Sequence, residues 1–187
     1  MRLFVAIVPP APALAELADA VAPLRATRPE LRWTTEADWH LTLAFLGEVA
    51  DRVLPDLAVR LERAAGRHPA RQLAISGGGA FPGPRRARVV WAGIESGVGL
   101  APLAASVAAG SRRSGAPPPD EGRRYSAHLT LARCRDQADV TGLTSVLAGF
   151  AGRPWTADSV RLIRSNPGRE PRYEDLGRWP LKPDRAG

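Results

Sequence analysis

The pentapeptide His-Leu-Thr-Leu-Ala stands at residues 40–44 and again, unchanged, at residues 128–132, in a chain that holds only three histidines. A match of this length around two of three rare side chains indicates an internal duplication. Each copy alternates large apolar residues with polar ones, the period of two that is typical of a β-strand. The sequence therefore predicts two related halves, each with one strand of this kind.

Alternate residues of a strand face the same side, so the histidine and the threonine of each copy share one face while the leucines enter the core on the other. If the halves pack about a pseudo-twofold axis, His40, Thr42, His128 and Thr130 converge in one cleft. One neutral imidazole could then accept a proton and one protonated imidazole donate one, which suits ester cleavage and requires pKa values within about two units of 6.5. The hydroxyls, with a nearby arginine, could hold the oxygens of a phosphate.

Two plainer interpretations compete with this one. Each histidine could be a satisfied strand residue and each threonine a good β-former. The two histidines could also form a metal pair, which would need a distant carboxylate, because no third histidine or HExxH-like spacing accompanies the repeat. We expect the duplicated motif to be catalytic and to use neither a metal nor a cofactor.

Outward from the repeat, each half shows the order strand, helix, strand, helix, strand. Apolar periodicity predicts helices over 11–26, 51–67, 100–113 and about 138–150. Strands are predicted over 2–8, 39–46, 72–75, 87–94, 126–134, 159–164 and 172–177. The stretch 76–86, rich in glycine and arginine, is predicted to be a loop.

Composition narrows the class of protein. The net charge is +7, and Lys182 is the only lysine among 26 basic residues. Arginine forks match phosphate geometry, so an anionic partner such as nucleic acid is indicated, although a GC-rich coding bias would produce the same composition. The single cysteine, Cys134, excludes an intramolecular disulfide, and no apolar stretch approaches the roughly 18 residues of a membrane span. We expect a cytoplasmic monomer.

With these motifs the chain resembles the 2H phosphoesterases, and among them the RNA 2′,3′-cyclic phosphodiesterases, also called 2′-5′ RNA ligase-like proteins. The matching segments run through nearly the whole chain; they are RLFVAI (2–7), RW (32–33), HLTLAFLGEV (40–49), GAFP (79–82), VVW (89–91), HLTLAR (128–133), RS (164–165) and RY (172–173). The resemblance implies an α+β fold of two lobes, each an antiparallel sheet with helices on its outer face, around a central cleft. It implies a single bilobal domain over 1–182, followed by a C-terminal tail over 183–187.

The resemblance also assigns roles to residues. It makes His40 the proton donor, His128 the proton acceptor, and Thr42 and Thr130 ligands of the phosphate. Arg133 matches the active-site arginine, but it lies five residues after His128, so an ideal strand would turn it away and a bulge or the strand's end must redirect it.

Tyr125 stands where the family often has an aromatic residue before the second motif, without the proline that often follows. We predict that Tyr125 binds substrate by stacking on a base, with packing as the alternative.

The activity that the resemblance implies is metal-independent opening of a 2′,3′-cyclic phosphate at the end of an RNA or oligonucleotide, giving a 2′-phosphomonoester. The same chemistry in reverse would join such an end to a 5′-hydroxyl. Two alternatives stay open at this point, a phosphodiesterase for a small cyclic nucleotide and an RNA-binding protein without turnover. The threonines kept in both motifs argue against the second alternative.

Overall fold

The computed structural model describes residues 1–96, 99–119 and 124–183, so the predicted C-terminal tail lies, beyond Pro183, outside the described residues. Within those ranges the chain forms the following strands and α-helices, in order: β1 (Arg2–Ile7), α1 (Ala11–Thr27), β2 (Arg32–Trp33), β3 (Leu41–Glu48), α2 (Leu54–Ala65), β4 (Arg71–Phe81), β5 (Ala87–Ser96), α3 (Ala101–Ser114), β6 (His128–Ala138), α4 (Thr141–Leu147), β7 (Trp155–Ala157), β8 (Ser159–Ser165) and β9 (Tyr173–Pro180). Short 3-10 turns precede β3, α2 and β5. In the described ranges, no helix combines the length and the apolar character needed to cross a bilayer.

The strands form two sheets, a four-stranded one in the order β3-β1-β8-β9 and a five-stranded one in the order β2-β6-β5-β4-β7. Every ladder between these strands is antiparallel. The first copy of the repeat opens β3, an edge strand, and the second opens β6, which only the two-residue β2 separates from an edge. The predicted α+β architecture of two antiparallel sheets is confirmed.

The two sequence repeats exchange a strand. The first repeat contributes β1, β3 and β4, and the second contributes β5, β6 and β8. The orders β3-β1-β8 and β6-β5-β4 correspond strand for strand, so the third strand of each repeat lies in the sheet of the other. The duplication is therefore visible in the strand order, but the two lobes are not the two halves of the sequence.

One hydrophobic cluster runs through both sheets and extends from Leu3 to Leu181. The first leucine of each repeat, Leu41 or Leu129, is fully buried in it. Helix α3 lies against β3, and α1 and α4 lie against β4. The leucine side of each motif strand thus faces the core, which leaves the histidine side for the cleft.

The structure corrects the predicted loop over 76–86, because β4 continues to Phe81. Two of the glycines that suggested a loop, Gly78 and Gly79, are required by close packing inside a strand. A side chain at Gly79 would collide with the ring of Trp91, and a Cβ at Gly78 would lie 2.7 Å from the Cβ of Leu147. Strands β2 and β7, of two and three residues, were not predicted, and α4 is shorter than its periodicity indicated.

Candidate active site

A β-bulge follows the threonine in the first motif strand. Val5 of β1 pairs with Ala44 and Ala6 pairs with Thr42, so Leu43 is an extra residue in β3. Leu43 and Ala44 are consequently both buried, although neighbours in a regular strand would face opposite sides. The residue that follows, Phe45, is turned back to the face that carries His40.

The second motif strand has its bulge at the same place. Val90 of β5 pairs with Ala132 and Trp91 pairs with Thr130, so Leu131 is the extra residue in β6. The bulge redirects Arg133 to the face of His128 and Thr130, as the odd spacing required. The charge of Arg133 contributes to lowering the pKa of His128, which places the guanidinium near that imidazole.

His40 lies in an aromatic setting immediately before β3. Its ring stacks on Phe4 with 4.5 Å between centroids and meets the edge of Tyr173 at 5.2 Å. Burial is the main cause that lowers the pKa of His40 to about 4, while the Asp38 carboxylate and a hydrogen bond with the Asp38 backbone act to raise it. This pKa lies below the range within two units of 6.5 that the acid–base hypothesis expected.

His128 has a corresponding setting in the five-stranded sheet. Its ring meets Phe81 at 5.1 Å and Trp91 at 6.4 Å between centroids. The Nδ1 atom lies 2.8 Å from the carbonyl oxygen of Ser126, and because a carbonyl only accepts, Nδ1 carries the proton and Nε2 is left as the acceptor. Burial lowers the pKa of His128, and the bond to Ser126 acts in the opposite direction.

Electrostatic coupling shows that the structure brings these groups together across the two sheets. The charge of His128 contributes to lowering the pKa of His40. Burial raises the pKa of Tyr173, and both Arg133 and Asp38 act on that pKa, so the phenol lies near groups of both sheets. Thr42 and Thr130 stand two residues after the histidines, on the same faces of their strands.

Thr34 connects the two motif strands. Its hydroxyl lies 2.8 Å from the carbonyl oxygens of Thr130 and Leu131, and its amide donates to the Leu131 carbonyl at 2.9 Å. The same hydroxyl accepts a hydrogen bond, 2.9 Å long, from the indole of Trp39, the neighbour of His40. One side chain therefore ties the bulge of the second motif to the entry of the first.

Asp38 and Arg172 form an ion pair of 3.1 Å beside His40. The Asp38 carboxylate also accepts hydrogen bonds from the amide and hydroxyl of Thr35, and the Arg172 guanidinium lies 5.3 Å from the centre of the Tyr173 ring. The ion pair thus links the segment before β9 to the turn that precedes His40.

Tyr125 is not brought to the histidines by any contact among the described residues. Its ring packs against the main core, and its hydroxyl is buried without a hydrogen-bond partner there. Its predicted role in substrate binding stays a prediction. No three side chains of histidine, cysteine, aspartate or glutamate within residues 1–96, 99–119 and 124–183 are grouped as a metal site would need.

Sequence reasoning did not single out Phe4, Thr34 or Tyr173 as site residues. Phe4 could have been found, because it lies opposite the core face of Leu3 and Val5 in an alternating strand. The bonds of Thr34 reach residues 96 and 97 positions away, and no local pattern predicts such a contact.

The chain is similar in sequence to a described family and to curated proteins. Residues 7–91 match the model of the family described as LigT-like phosphoesterases. The RNA 2′,3′-cyclic phosphodiesterase of Escherichia coli K12 is 34% identical over 187 residues, with 96% of each chain covered, and that of Aeropyrum pernix is 33% identical over 135 residues, with 72% of this chain and 73% of its own covered.

Solved structures of relatives share the fold. A protein of Thermus thermophilus matches with a TM-score of 0.79 and 27% identity, covering 98% of this chain and 100% of its own. Escherichia coli LigT in complex with 3′-AMP matches with a TM-score of 0.72 and 29% identity, covering 96% and 97%.

Proposed function

The chain belongs to the LigT-like phosphoesterase family, and from that premise we propose that His40 and His128 open the 2′,3′-cyclic phosphate at an RNA end. The chain is an RNA 2′,3′-cyclic phosphodiesterase. The product that we propose is a 2′-phosphomonoester. The observation that carries the residue assignment is the convergence of the two bulged motif strands, which brings two coupled imidazoles and one arginine to one cleft.

The reaction needs one proton acceptor and one proton donor. In the proposed step His128 takes a proton from water as the water oxygen bonds to phosphorus. The bond from phosphorus to the 3′-oxygen breaks, and His40 protonates that oxygen, which leaves a 3′-hydroxyl and a 2′-phosphate. The free Nε2 of His128 supports the acceptor role. The nearby Asp38 carboxylate favours the charged form of His40, against the larger opposing effect of burial.

The low pKa of His40 bears on when it gains its proton. In the free protein the imidazole is neutral at pH 7, because burial disfavours the charged form. A bound cyclic phosphate brings a negative charge into the cleft and raises the pKa of the donor. His40 therefore takes up its proton together with the substrate.

Cationic and hydroxyl groups hold the phosphate in this proposal. Thr42 and Thr130 contact its non-bridging oxygens, and Arg133 balances the charge that builds in the transition state. Arg32 pairs with Arg133 across the ladder between β2 and β6, so the two guanidinium groups share a face. Like charges opposite each other are destabilising, and an anion between them relieves the repulsion.

We propose that one copy of the chain suffices for activity, because both motif strands belong to it. We propose action in the cytoplasm, in keeping with the single free cysteine, Cys134. Ligation to a 5′-hydroxyl would follow from the same groups acting in reverse. A small cyclic nucleotide would fit the same chemistry, and a higher kcat/KM for a 2′,3′-cyclic mononucleotide than for an oligonucleotide with the same end would favour that alternative.

The proposal predicts that His40→Ala and His128→Ala each lower the single-turnover rate on an oligonucleotide with a 2′,3′-cyclic phosphate end by about 10²- to 10⁴-fold. Because both groups act in one displacement, the double variant should be far less damaged than the product of the single effects. His68→Ala is the matched control, since His68 bonds Ser106 outside the cleft, and it should retain the wild-type rate. Single variants that keep that rate would contradict the acid–base assignment.

Two further measurements sharpen this experiment. Exhaustive chelation should leave the wild-type rate unchanged, and activity that returns only with added zinc or manganese would overturn the metal-free step. A leaving group that needs no proton should rescue His40→Ala and not His128→Ala, and the reverse result would exchange the donor and acceptor roles.

A further inference from the structure

Helices α2 and α3 lie side by side on the outside of the four-stranded sheet. Helix α3 packs against β3 on the leucine side of that strand, and α2 packs against α3 and β9. A Cβ at Gly110 of α3 would lie 3.4 Å from the Cβ of Arg60 in α2. Ser106, one turn earlier in α3, bonds His68, just beyond the end of α2, at 2.8 Å. The two helices are therefore antiparallel and closely packed, on the side of the sheet away from the cleft.

A groove of about 300 Å³ lies between these two helices. Its floor consists of small residues, among them Ala64, Ala109 and Gly110, so longer side chains of both helices border it. Of the described residues that line the groove, none is acidic, and four are arginines, namely Arg60, Arg63, Arg67 and Arg113. The groove thus carries positive charge from both helices.

Most of these guanidinium groups are exposed to solvent. Arg63, Arg67 and Arg113 are exposed, and none of the three forms an ion pair with another described residue. Arg60 is half-buried and pairs with Asp56 at 2.7 Å. Like charges that share one groove repel one another, and the three unneutralised guanidinium groups attract an anion.

The arginines form a row and do not converge on one point. Arg60, Arg63 and Arg67 are three and four residues apart, so they follow one side of α2 and its continuation over about 10 Å. Arg113 lies on the opposite wall near Arg60, because Gly110, one turn before it, faces that residue. Guanidinium groups match the oxygens of phosphate, and a row along a groove suits a chain of phosphates better than a single anion.

We propose that the groove between α2 and α3 is a second RNA-binding site, which holds the phosphate backbone of the RNA whose cyclic end lies in the cleft. The proposal rests on the proposed function, because it places another part of the same substrate. Phosphate contacts supply much of the affinity for a nucleic acid and carry no sequence information directly. The site therefore favours long RNA over short cyclic phosphates and does not alter the reaction at the end.

The helical layer sets the length of RNA that can occupy both sites. Helix α3 separates the groove from β3. A helix with its side chains is about 10–12 Å across, and a stacked strand rises about 3.4 Å per nucleotide, so at least about four nucleotides are needed to pass it. The RNA would pass around β9, the edge strand that contacts α2.

The test compares kcat/KM of the full chain on three substrates with the same reacting end. These are 2′,3′-cyclic AMP, an adenosine dinucleotide with a 2′,3′-cyclic phosphate end, and an oligoadenylate of about 20 nucleotides with that end, well beyond the required length. The variant Arg63→Gln/Arg67→Gln removes two charges of the row. The matched control, Arg153→Gln/Arg178→Gln, removes the same formal charge from two arginines that pair with carboxylates and do not line the groove.

We expect Arg63→Gln/Arg67→Gln to lower kcat/KM for the long RNA by about tenfold at low ionic strength, through KM. The slope of log K against log salt for the same RNA, measured by fluorescence anisotropy, should become shallower by about 1.4, since each lost phosphate contact contributes about 0.7 for a single strand. Both short substrates should be turned over as by wild type, and the control should follow wild type on all three.

The outcomes separate this proposal from the proposed function. An equal loss on all three substrates would place the effect of the arginines in the cleft or in folding, and an unchanged kcat/KM for the long RNA would leave the groove without a role in RNA binding. A control that loses as much on the long RNA would assign the effect to net charge. Each of these results overturns the second site while the phosphodiesterase function stands, whereas wild-type protein that opens none of the three cyclic phosphates would overturn the proposed function itself.

Discussion

The two histidines of the repeat are identical in sequence context and different in environment. His40 stacks flat on Phe4, and burial takes its pKa to about 4, whereas the ring contacts of His128 among the described residues are edge-on. The difference arises outside the pentapeptides, from β1 and from the residues before β9. At the residue scale, the sequence identifies the pair, and the fold decides how each member titrates.

Stability should fall as the pH is lowered, and His40 should account for part of the loss. The imidazole is neutral in the folded protein down to about pH 4, but in the unfolded chain it takes up a proton near pH 6.5, so the unfolded state binds more protons between these values. Between pH 7 and pH 5 this amounts to about 2 kcal/mol of the free energy of unfolding. Urea titrations of His40→Gln should show a loss smaller by about that amount.

Thr42→Val serves as the control for this measurement. It changes a polar side chain on the same face of β3 and removes no titrating group, so its pH dependence should follow that of wild type. If His40→Gln shows the same slope as wild type, the histidine is not buried in its neutral form.

At the scale of elements, the repeated bulge is the feature that makes the cleft. It lets each motif strand present a histidine, a threonine and a third side chain, five residues after the histidine, to one face, which a regular strand cannot do. The carbonyl oxygens at the bulge need hydrogen-bond donors from other segments of the chain. In β6, Thr34 supplies both its amide and its hydroxyl to them. The short strand β2 and the residue after it therefore complete the second motif.

Thr34→Val should show whether the Thr34 hydroxyl positions the motif strands. The substitution removes the hydroxyl and keeps the shape of the side chain and the backbone amide. The indole of the buried Trp39 then loses its acceptor, at a cost of about 1–3 kcal/mol in the free energy of unfolding. We also expect kcat to fall between about tenfold and a hundredfold with little change in KM, since the motif strands lose their tie. Thr34→Ser should restore both quantities.

Thr27→Val is the control for a lost hydroxyl in general, since the Thr27 hydroxyl donates to the Leu24 carbonyl at the end of α1, away from both motif strands. It should lower the stability and leave kcat unchanged. A Thr34→Val protein with lower stability and wild-type kcat would assign Thr34 to folding alone.

Some features of the fold and the site could be predicted from neighbouring residues, whereas others depend on contacts between residues distant in sequence. The strand of the repeat and the faces of His40 and Thr42 follow from a period of two, which needs only neighbouring residues. The resemblance places Arg133 in the site, and its odd spacing then required a break in that period, which the bulge supplies. The packing of Gly79 under Trp91 and the bonds of Thr34 depend on residues that are distant in sequence. The loop prediction was therefore wrong over 76–81, and Thr34 was missed.

At the scale of the whole molecule, the lobes share one hydrophobic core, and each holds a strand from the other repeat. Neither sheet can lose its order without exposing the apolar face of the other. This distinguishes the fold from two domains joined by a linker, which unfold separately.

Calorimetry should accordingly show a single unfolding transition, with equal calorimetric and van't Hoff enthalpies. Ile7→Ala in the four-stranded sheet and Ile75→Ala in the five-stranded sheet both truncate residues that are 1% exposed, and each should cost about 2–5 kcal/mol. Each substitution should move the whole transition. Two peaks, or a substitution that shifts only part of the heat absorption, would show independent lobes. Val146→Ala, at an exposed apolar residue of α4, is the control and should leave the transition temperature unchanged.

The exchanged third strand also has a consequence for descent. A polypeptide with a single repeat would have a vacancy in its sheet beside its first strand, while its own last strand would have no partner. Two such polypeptides could fill each other's vacancies, so a half-length ancestor would have been whole only as a swapped homodimer, with one histidine from each copy. Fusion of the two copies would have replaced a dependence on protein concentration with a permanent, high effective concentration. It would also have freed each copy to diverge, so that the position five residues after the histidine could hold Phe45 in one motif and Arg133 in the other.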